Sequence, residues 1–254
     1  MPGTIDLNSD LGEGFGPWSL GEDAQMLGIV TSANIACGGH AGDPDTLFAT
    51  LKTAQSNGVI VGAHPGYADL IGFGRRIIPM SPEEITRMVA YQLGAFLGVA
   101  ALAGVDVAYV KPHGALANLA ADDPGVARAI LAAVRAVGPG LSVLAISGTT
   151  LEQEAREAGH TVYSEVFADR GYLSTGRLVP RGRAGAMIHD AQAATARLLA
   201  LLTTGLMPVI DGDPIPLRAH SICVHGDSAG AVAMARDIRA GLQSHGWEIK
   251  SFAG

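Results

Sequence analysis

The chain has 254 residues, 48% of them hydrophobic and only 5% aromatic, so its core has to be built from Ala, Val, Leu and Ile. That length suits one α/β domain over residues 1–254 better than two small ones. A net charge of −7 with scattered Lys and Arg excludes the basic stripe that nucleic acid requires, and apolar runs such as Leu198 to Leu202 are too short for a membrane span. Two cysteines, Cys37 and Cys223, make no disulfide framework, so a cytoplasmic location is expected. The first strand begins within about five residues of the N-terminus, which leaves no room for a signal peptide.

In chain order, short apolar runs alternate with stretches of helical period. The runs are Thr4 to Asn8, Ser32 to Ala36, Val59 to Ala63, Val107 to Lys111, Ser142 to Ile146, Thr161 to Phe167 and Ser221 to Val224. Seven such segments, most followed by a helix, predict a parallel sheet, with Trp247 to Phe252 closing or flanking it. Ser81-Pro82-Glu83-Glu84 is a capping box with Pro at the first helical position, followed by Ile85, Met88, Val89, Leu93, Phe96 and Leu97 on one face. Asp43-Pro44 and Asp123-Pro124 start two further helices. Asp211-Gly212, between Val209-Ile210 and Ile215, reads as a hairpin. Ser228 is expected to cap the last helix, with Val232, Ala235, Ile238 and Leu242 buried and Gly246 as its stop.

Polar groups gather where strands finish. The first strand ends in Asn8, Asp10 and Glu13; the second in Cys37-Gly38-Gly39-His40; the third in His64-Pro65-Gly66, then Asp69 and Gly72-Phe73-Gly74-Arg75-Arg76. The fourth ends in Lys111-Pro112-His113, with Asn118 a turn later. The sixth ends in Glu165, Asp169 and Arg170, and the seventh in His225-Gly226-Asp227. In a barrel of parallel strands these ends share one rim, where active sites form. Plainer roles stand beside this one. Asp43 and Asp227 both precede helices and suit capping, Lys111 fits a core-edge lysine reaching solvent, and Cys37 fits a small buried residue.

His40, His64, His113 and His225 sit at strand ends beside Gly or Pro, which suits acid/base or metal chemistry; His160, His189, His220 and His245 do not. His245, near a helix C-terminus, has a dipole explanation. No His-x-x-x-His or His-Glu-x-x-His pattern occurs, so a divalent metal would have to be gathered from distant segments. A phosphate-binding Gly-x-x-x-x-Gly-Lys-Ser/Thr loop is also missing.

Seven motifs resemble the LamB/YcsF family. They are Asp6 to Glu13, Ser32 to Asp43, Gly62 to Tyr67, Gly72 to Arg76, Val110 to Leu116, Glu165 to Arg170 and Val224 to Asp227, in one order over nearly the whole chain. Ala117 departs from the pattern, which has Tyr before the residue matching Asn118. The resemblance implies an α/β fold, a seven-stranded parallel (β/α) barrel of the glycoside hydrolase/deacetylase type, similar to a TIM barrel. It implies the activity of the A-subunit of 5-oxoprolinase, which with subunits B and C opens 5-oxo-L-proline to L-glutamate at the expense of ATP.

A lactam carbonyl is a poor electrophile, so such a site needs cations for phosphate oxygens, a base for water and an acid for the ring nitrogen. Lys111 with Arg75, Arg76 or Arg170 fits the cationic part. Asp10, His40 and His64 fit water activation or a divalent metal, and His113 or His225 the acid. Asn8, Glu13, Glu165 and Asp169 complete the expected binding surface. Two other readings share these residues: a metal-dependent deacetylase or carbohydrate hydrolase, and a non-catalytic protein that binds a small molecule for its partners.

Overall fold

A computed structural model of the chain describes residues 3–226 and 230–253. Seven parallel strands pair in sequence order and close on themselves. They are β1 (Thr4–Leu11), β2 (Ser32–Ala36), β3 (Ile60–His64), β4 (Val107–Val110), β5 (Ser142–Ile146), β6 (Val162–Phe167) and, after a small antiparallel pair β7 (Leu206–Met207) and β8 (Ile215–Pro216), β9 (Ser221–Cys223). Ser221 of β9 lies opposite both Glu165 of β6 and Asp6 of β1, which closes the barrel. The late strand β10 (Glu248–Ile249) flanks it, pairing with Thr4 and Ile5.

The helices form the outer layer: α1 (Asp23–Leu27), α2 (Pro44–Ser56), α3 (Pro82–Ala103), α4 (Gly114–Ala120), α5 (Pro124–Val137), α6 (Thr150–Glu157), α7 (Ala191–Thr204) and α8 (Ala231–Ser244). Their starts follow the local chemistry. Asp43 and Asp123 each accept hydrogen bonds from two backbone amides of the turn they open, and Ser81 and Glu84 form the reciprocal box. By length and composition α3 could cross a membrane, with a mean hydropathy of 1.4. Here Ile85, Val89, Leu93, Phe96 and Ala100 are buried, and the helix packs chiefly against α5.

Two details differ from expectation. The hairpin strands are Leu206–Met207 and Ile215–Pro216, so Asp211 and Gly212 belong to a longer loop, in which Asp211 accepts from the Ser174 amide. The last helix begins at Ala231 behind Gly230, whose φ of 81° favours glycine. The expected caps Asp227 and Ser228 lie outside the described residues.

Candidate active site

Successive strand residues face opposite sides, so Asp6, Asn8 and Asp10 of β1 point to one face, the barrel interior. At the lowest level Asp6 accepts from Thr31 (2.6 Å), Ser32 (2.7 Å) and Ser221. Burial pushes its carboxyl up to about 6, against the pull of those three hydroxyls. One level higher, Asn8 donates to Glu165 (3.0 Å) and Ser221 (2.6 Å) and accepts from Asn34 (2.6 Å). Asn34 donates also to Asp10 (2.8 Å) and accepts from the Tyr109 hydroxyl (2.7 Å). Tyr109 fills the space where a Cβ on Gly62 would stand only 2.2 Å from its ring, so β3 requires glycine there.

Lys111 follows β4 and is buried. Its Nζ lies 2.8 Å from Asp10 Oδ1, 2.8 Å from Glu165 Oε1 and 3.3 Å from Cys223 Sγ. It does not reach along the barrel edge to solvent. Burial would neutralise it, but Asp10 and Glu165 hold it charged, with its pKa well above the usual lysine range. Burial likewise opposes ionisation of Asp10, and His64 and Lys111 outweigh it, so that carboxyl is held well below the usual range. For Glu165 the balance reverses: burial raises it against the pull of Lys111. Its Oε2 is buried without a hydrogen-bond partner among the described residues.

Above Lys111 lie the histidines. His64 Nδ1 donates to the Lys111 carbonyl (2.7 Å), and its Nε2 lies 3.4 Å from Asp10 Oδ2 and 3.0 Å from His113 Nδ1. His113 Nε2 donates to the Phe73 carbonyl (2.8 Å). His40 stacks on His113 with ring centroids 3.6 Å apart, and its Nε2 lies 3.2 Å from Glu13 Oε1. Ligand atoms of Glu13, His40, His64 and His113 all lie within 4.8 Å of one another, a grouping able to hold a metal ion. Of the expected metal set Asp10, His40 and His64, Asp10 stands outside this group, tied to Lys111 and Asn34. Burial first, then the crowding of imidazoles that cannot all be charged together, lowers His40 well below its usual value and His113 to about 3. The loop from Gly72 to Arg76 closes over them, with Gly74 (φ 61°) so near that a Cβ would lie 2.6 Å from His40.

A second pair stands apart. His225, after β9, donates from Nδ1 to both oxygens of Asp169 (2.9 and 2.8 Å), and its ring stacks on Phe167. Burial opposes ionisation of Asp169, and His225 outweighs it.

A cavity of about 440 Å³ lies at this mouth, lined by Asp10, His64, Lys111, His113, Glu165 and His225, with Arg75 and Arg170 also on its wall. Arg75 sits over the Phe73 ring. Arg170 is half committed to structure: its Nε donates to the Ala186 carbonyl and one terminal nitrogen to Val179. Burial lowers it to about 10. Arg76 instead turns outward onto Asp69, and Asn8 lies beneath the cavity in the satisfied layer. Ala117, where the resemblance leads to an expectation of Tyr, lines the cavity. Sequence reading passes over Asn34, Tyr109 and Cys223, although an Asn inside an apolar strand and a Tyr two residues before Lys111 are signals it could use.

A closed parallel barrel, with buried acid–base groups and cations around a cavity at its C-terminal mouth, defines a barrel enzyme. The chain belongs to the LamB/YcsF family, matching it over residues 5–254. It is 49% identical over 248 residues to the 5-oxoprolinase A-subunit of Gluconobacter oxydans strain 621H, covering 98% of each chain. It is 51% identical over 249 residues to the protein of the same name in Paracidovorax citrulli strain AAC00-1, covering 98% of this chain and 99% of that one. The crystal structure of a lactam utilization protein from Thermus thermophilus matches with a TM-score of 0.92 at 41% identity, covering 98% of this chain and all of that one.

Proposed function

We propose that this chain is the A-subunit of a cytoplasmic, ATP-dependent 5-oxoprolinase that opens 5-oxo-L-proline to L-glutamate with subunits B and C. The observation that carries the reading is identity of about half, over nearly the full length, with proteins of that name. The cavity suits the chemistry, since it sets cations and titratable groups around a space large enough for a small lactam.

In the proposed reaction the γ-phosphoryl of ATP passes to the lactam oxygen and ADP leaves. Water then adds to the activated ring carbon. The ring C–N bond breaks as the nitrogen takes a proton, and a second water releases phosphate from the resulting acyl phosphate. Asp10 and His64 face the attacking water. Arg75 and Arg170 take the carboxylate or phosphate, because the charge of Lys111 is already shared between Asp10 and Glu165. Lys111 sets the charge and position of those two carboxylates. His225 is the better acid for the ring nitrogen: Asp169 holds its Nδ1 and leaves Nε2 to face the cavity, whereas burial keeps His113 neutral.

Reconstitution with subunits B and C, ATP and 5-oxo-L-proline, with glutamate as readout, tests this. Turnover that depends on all three proteins and on ATP is expected. Glutamate formation at an unchanged rate without this chain would exclude the reading.

A further inference from the structure

We infer that Glu13, His40, His64 and His113 form a binding site for one divalent transition-metal ion of the zinc type. The donor atoms are a Glu13 oxygen, His40 Nε2, His64 Nε2 and His113 Nδ1.

Two tautomers are fixed by backbone carbonyls. A carbonyl oxygen only accepts, so His64 Nδ1, 2.7 Å from the Lys111 carbonyl, must carry a ring proton, and Nε2 then holds a lone pair unless the ring takes a second proton. By the same logic His113 Nε2 is protonated toward the Phe73 carbonyl, leaving the lone pair on Nδ1. These two lone-pair nitrogens face each other at 3.0 Å. Asp10 Oδ2, a further acceptor, lies 3.4 Å from His64, and Glu13 Oε1 lies 3.9 Å from His113. All four side chains of the group are buried. Two lone pairs opposed in a buried space are costly, and they call for a cation between them.

A proton between His64 and His113 would relieve that one contact. A metal ion would relieve it and engage Glu13 as well, and His40 once its ring turns off His113. Donors about 2.0–2.2 Å from a tetrahedral ion are separated from one another by about 3.3–3.6 Å. The separations here, 3.0 Å for His64 to His113, 3.2 Å for His40 to Glu13 and 3.9 Å for His113 to Glu13, surround that value. Three imidazoles and one carboxylate suit zinc-type ions, whereas calcium and magnesium prefer all-oxygen shells. The backbone carbonyls on the far nitrogens of His64 and His113 are the usual outer partners of metal-bound histidines, fixing tautomer and ring direction. His40 stacks parallel on His113, so as the rings stand both cannot point lone pairs at one ion. His40, whose Nδ1 is buried without a partner among the described residues, is the ring that must turn to ligate and is the least firmly held ligand. With four protein ligands the coordination shell would be closed, so a bound ion would fix His64 and His113 in the cavity wall.

The test uses the purified full-length chain, stripped with chelator, without lactam, ATP or partner proteins, titrated with Zn²⁺ and Co²⁺. One equivalent should bind per chain, Co²⁺ should show the visible absorption of a four-coordinate nitrogen/oxygen site, and the melting temperature should rise with Zn²⁺. H64Q and H113Q should each weaken Zn²⁺ binding about 100-fold or more, and H40Q about 10-fold. Circular dichroism of the stripped variants establishes that each is folded. If a variant fails to fold, the Co²⁺ spectrum of the unaltered chain decides between imidazole and all-oxygen ligation. Absence of stoichiometric binding, an all-oxygen octahedral spectrum, or undiminished binding in folded H64Q and H113Q would each overturn the site and leave a shared proton in its place. Because no substrate is present, failure here does not touch the lactam-opening proposal.

Discussion

The lower and upper halves of the barrel interior are both polar, yet they are satisfied to different degrees. Below Lys111, the side-chain amides of Asn8 and Asn34 meet acceptors, and the Asp6 carboxylate is matched by three hydroxyls. Above it, the His64 and His113 nitrogens meet at 3.0 Å and His40 Nδ1 lacks a hydrogen-bond partner among the described residues, as does Glu165 Oε2 at the boundary. A complete network specifies a structure; an incomplete one leaves interactions for something else to complete. Lys111 stands at the boundary and binds the two halves through Asp10 and Glu165.

Substitutions on either side of that boundary should behave differently. Lys111→Met should have the largest effect, because it strands two buried carboxylates. A loss of about 3–5 kcal/mol in urea unfolding is expected, with glutamate formation reduced beyond detection. A stable, active variant would mean that the two carboxylates are protonated in the native protein. Asn34→Leu, in the lower half, should lower stability by about 2 kcal/mol, since it strips partners from Asn8, Asp10 and Tyr109. No loss would show that water completes that network.

Asp6 predicts a pH dependence. Its folded pKa of about 6 lies above the ordinary carboxyl value, so between the two the folded chain keeps a proton that the unfolded chain has released. Its contribution to stability therefore falls as pH rises from about 4 to about 6. Asp6→Asn should flatten that slope in unfolding curves taken across the window, and an unaltered slope would place its origin elsewhere. The smallest effect is expected outside the barrel. Asp43→Ala removes the α2 cap and should cost about 1 kcal/mol without changing turnover.

Much of the fold is legible in the sequence because strand-length apolar runs recur with helices between them and end in polar groups. The seven barrel strands fall where those runs lie, within a few residues. Convergence of the polar ends on one mouth follows from parallel topology alone. Partnerships across the barrel do not. Nothing local in Val110-Lys111-Pro112 reveals two carboxylates supplied by β1 and β6, and so Lys111 also fits a solvent-reaching lysine. The grouping of Glu13 and His113 with His40 and His64, in place of Asp10, depends on contacts between residues far apart in the chain, such as Glu13 with His113. Arg76 and Arg75 are adjacent in sequence, yet one turns to Asp69 and the other to the cavity, a choice made by the Gly72–Gly74 turn.

If lactam opening depends on the incomplete upper half of the barrel, His64 is where the dependence should be plainest. The direct measurement is the rate of glutamate formation by His64→Ala in complex with subunits B and C, with ATP and 5-oxo-L-proline saturating. A fall of about 10³-fold or more is expected, with folding and assembly intact. Near-normal turnover in that complex would contradict a catalytic role for the upper half.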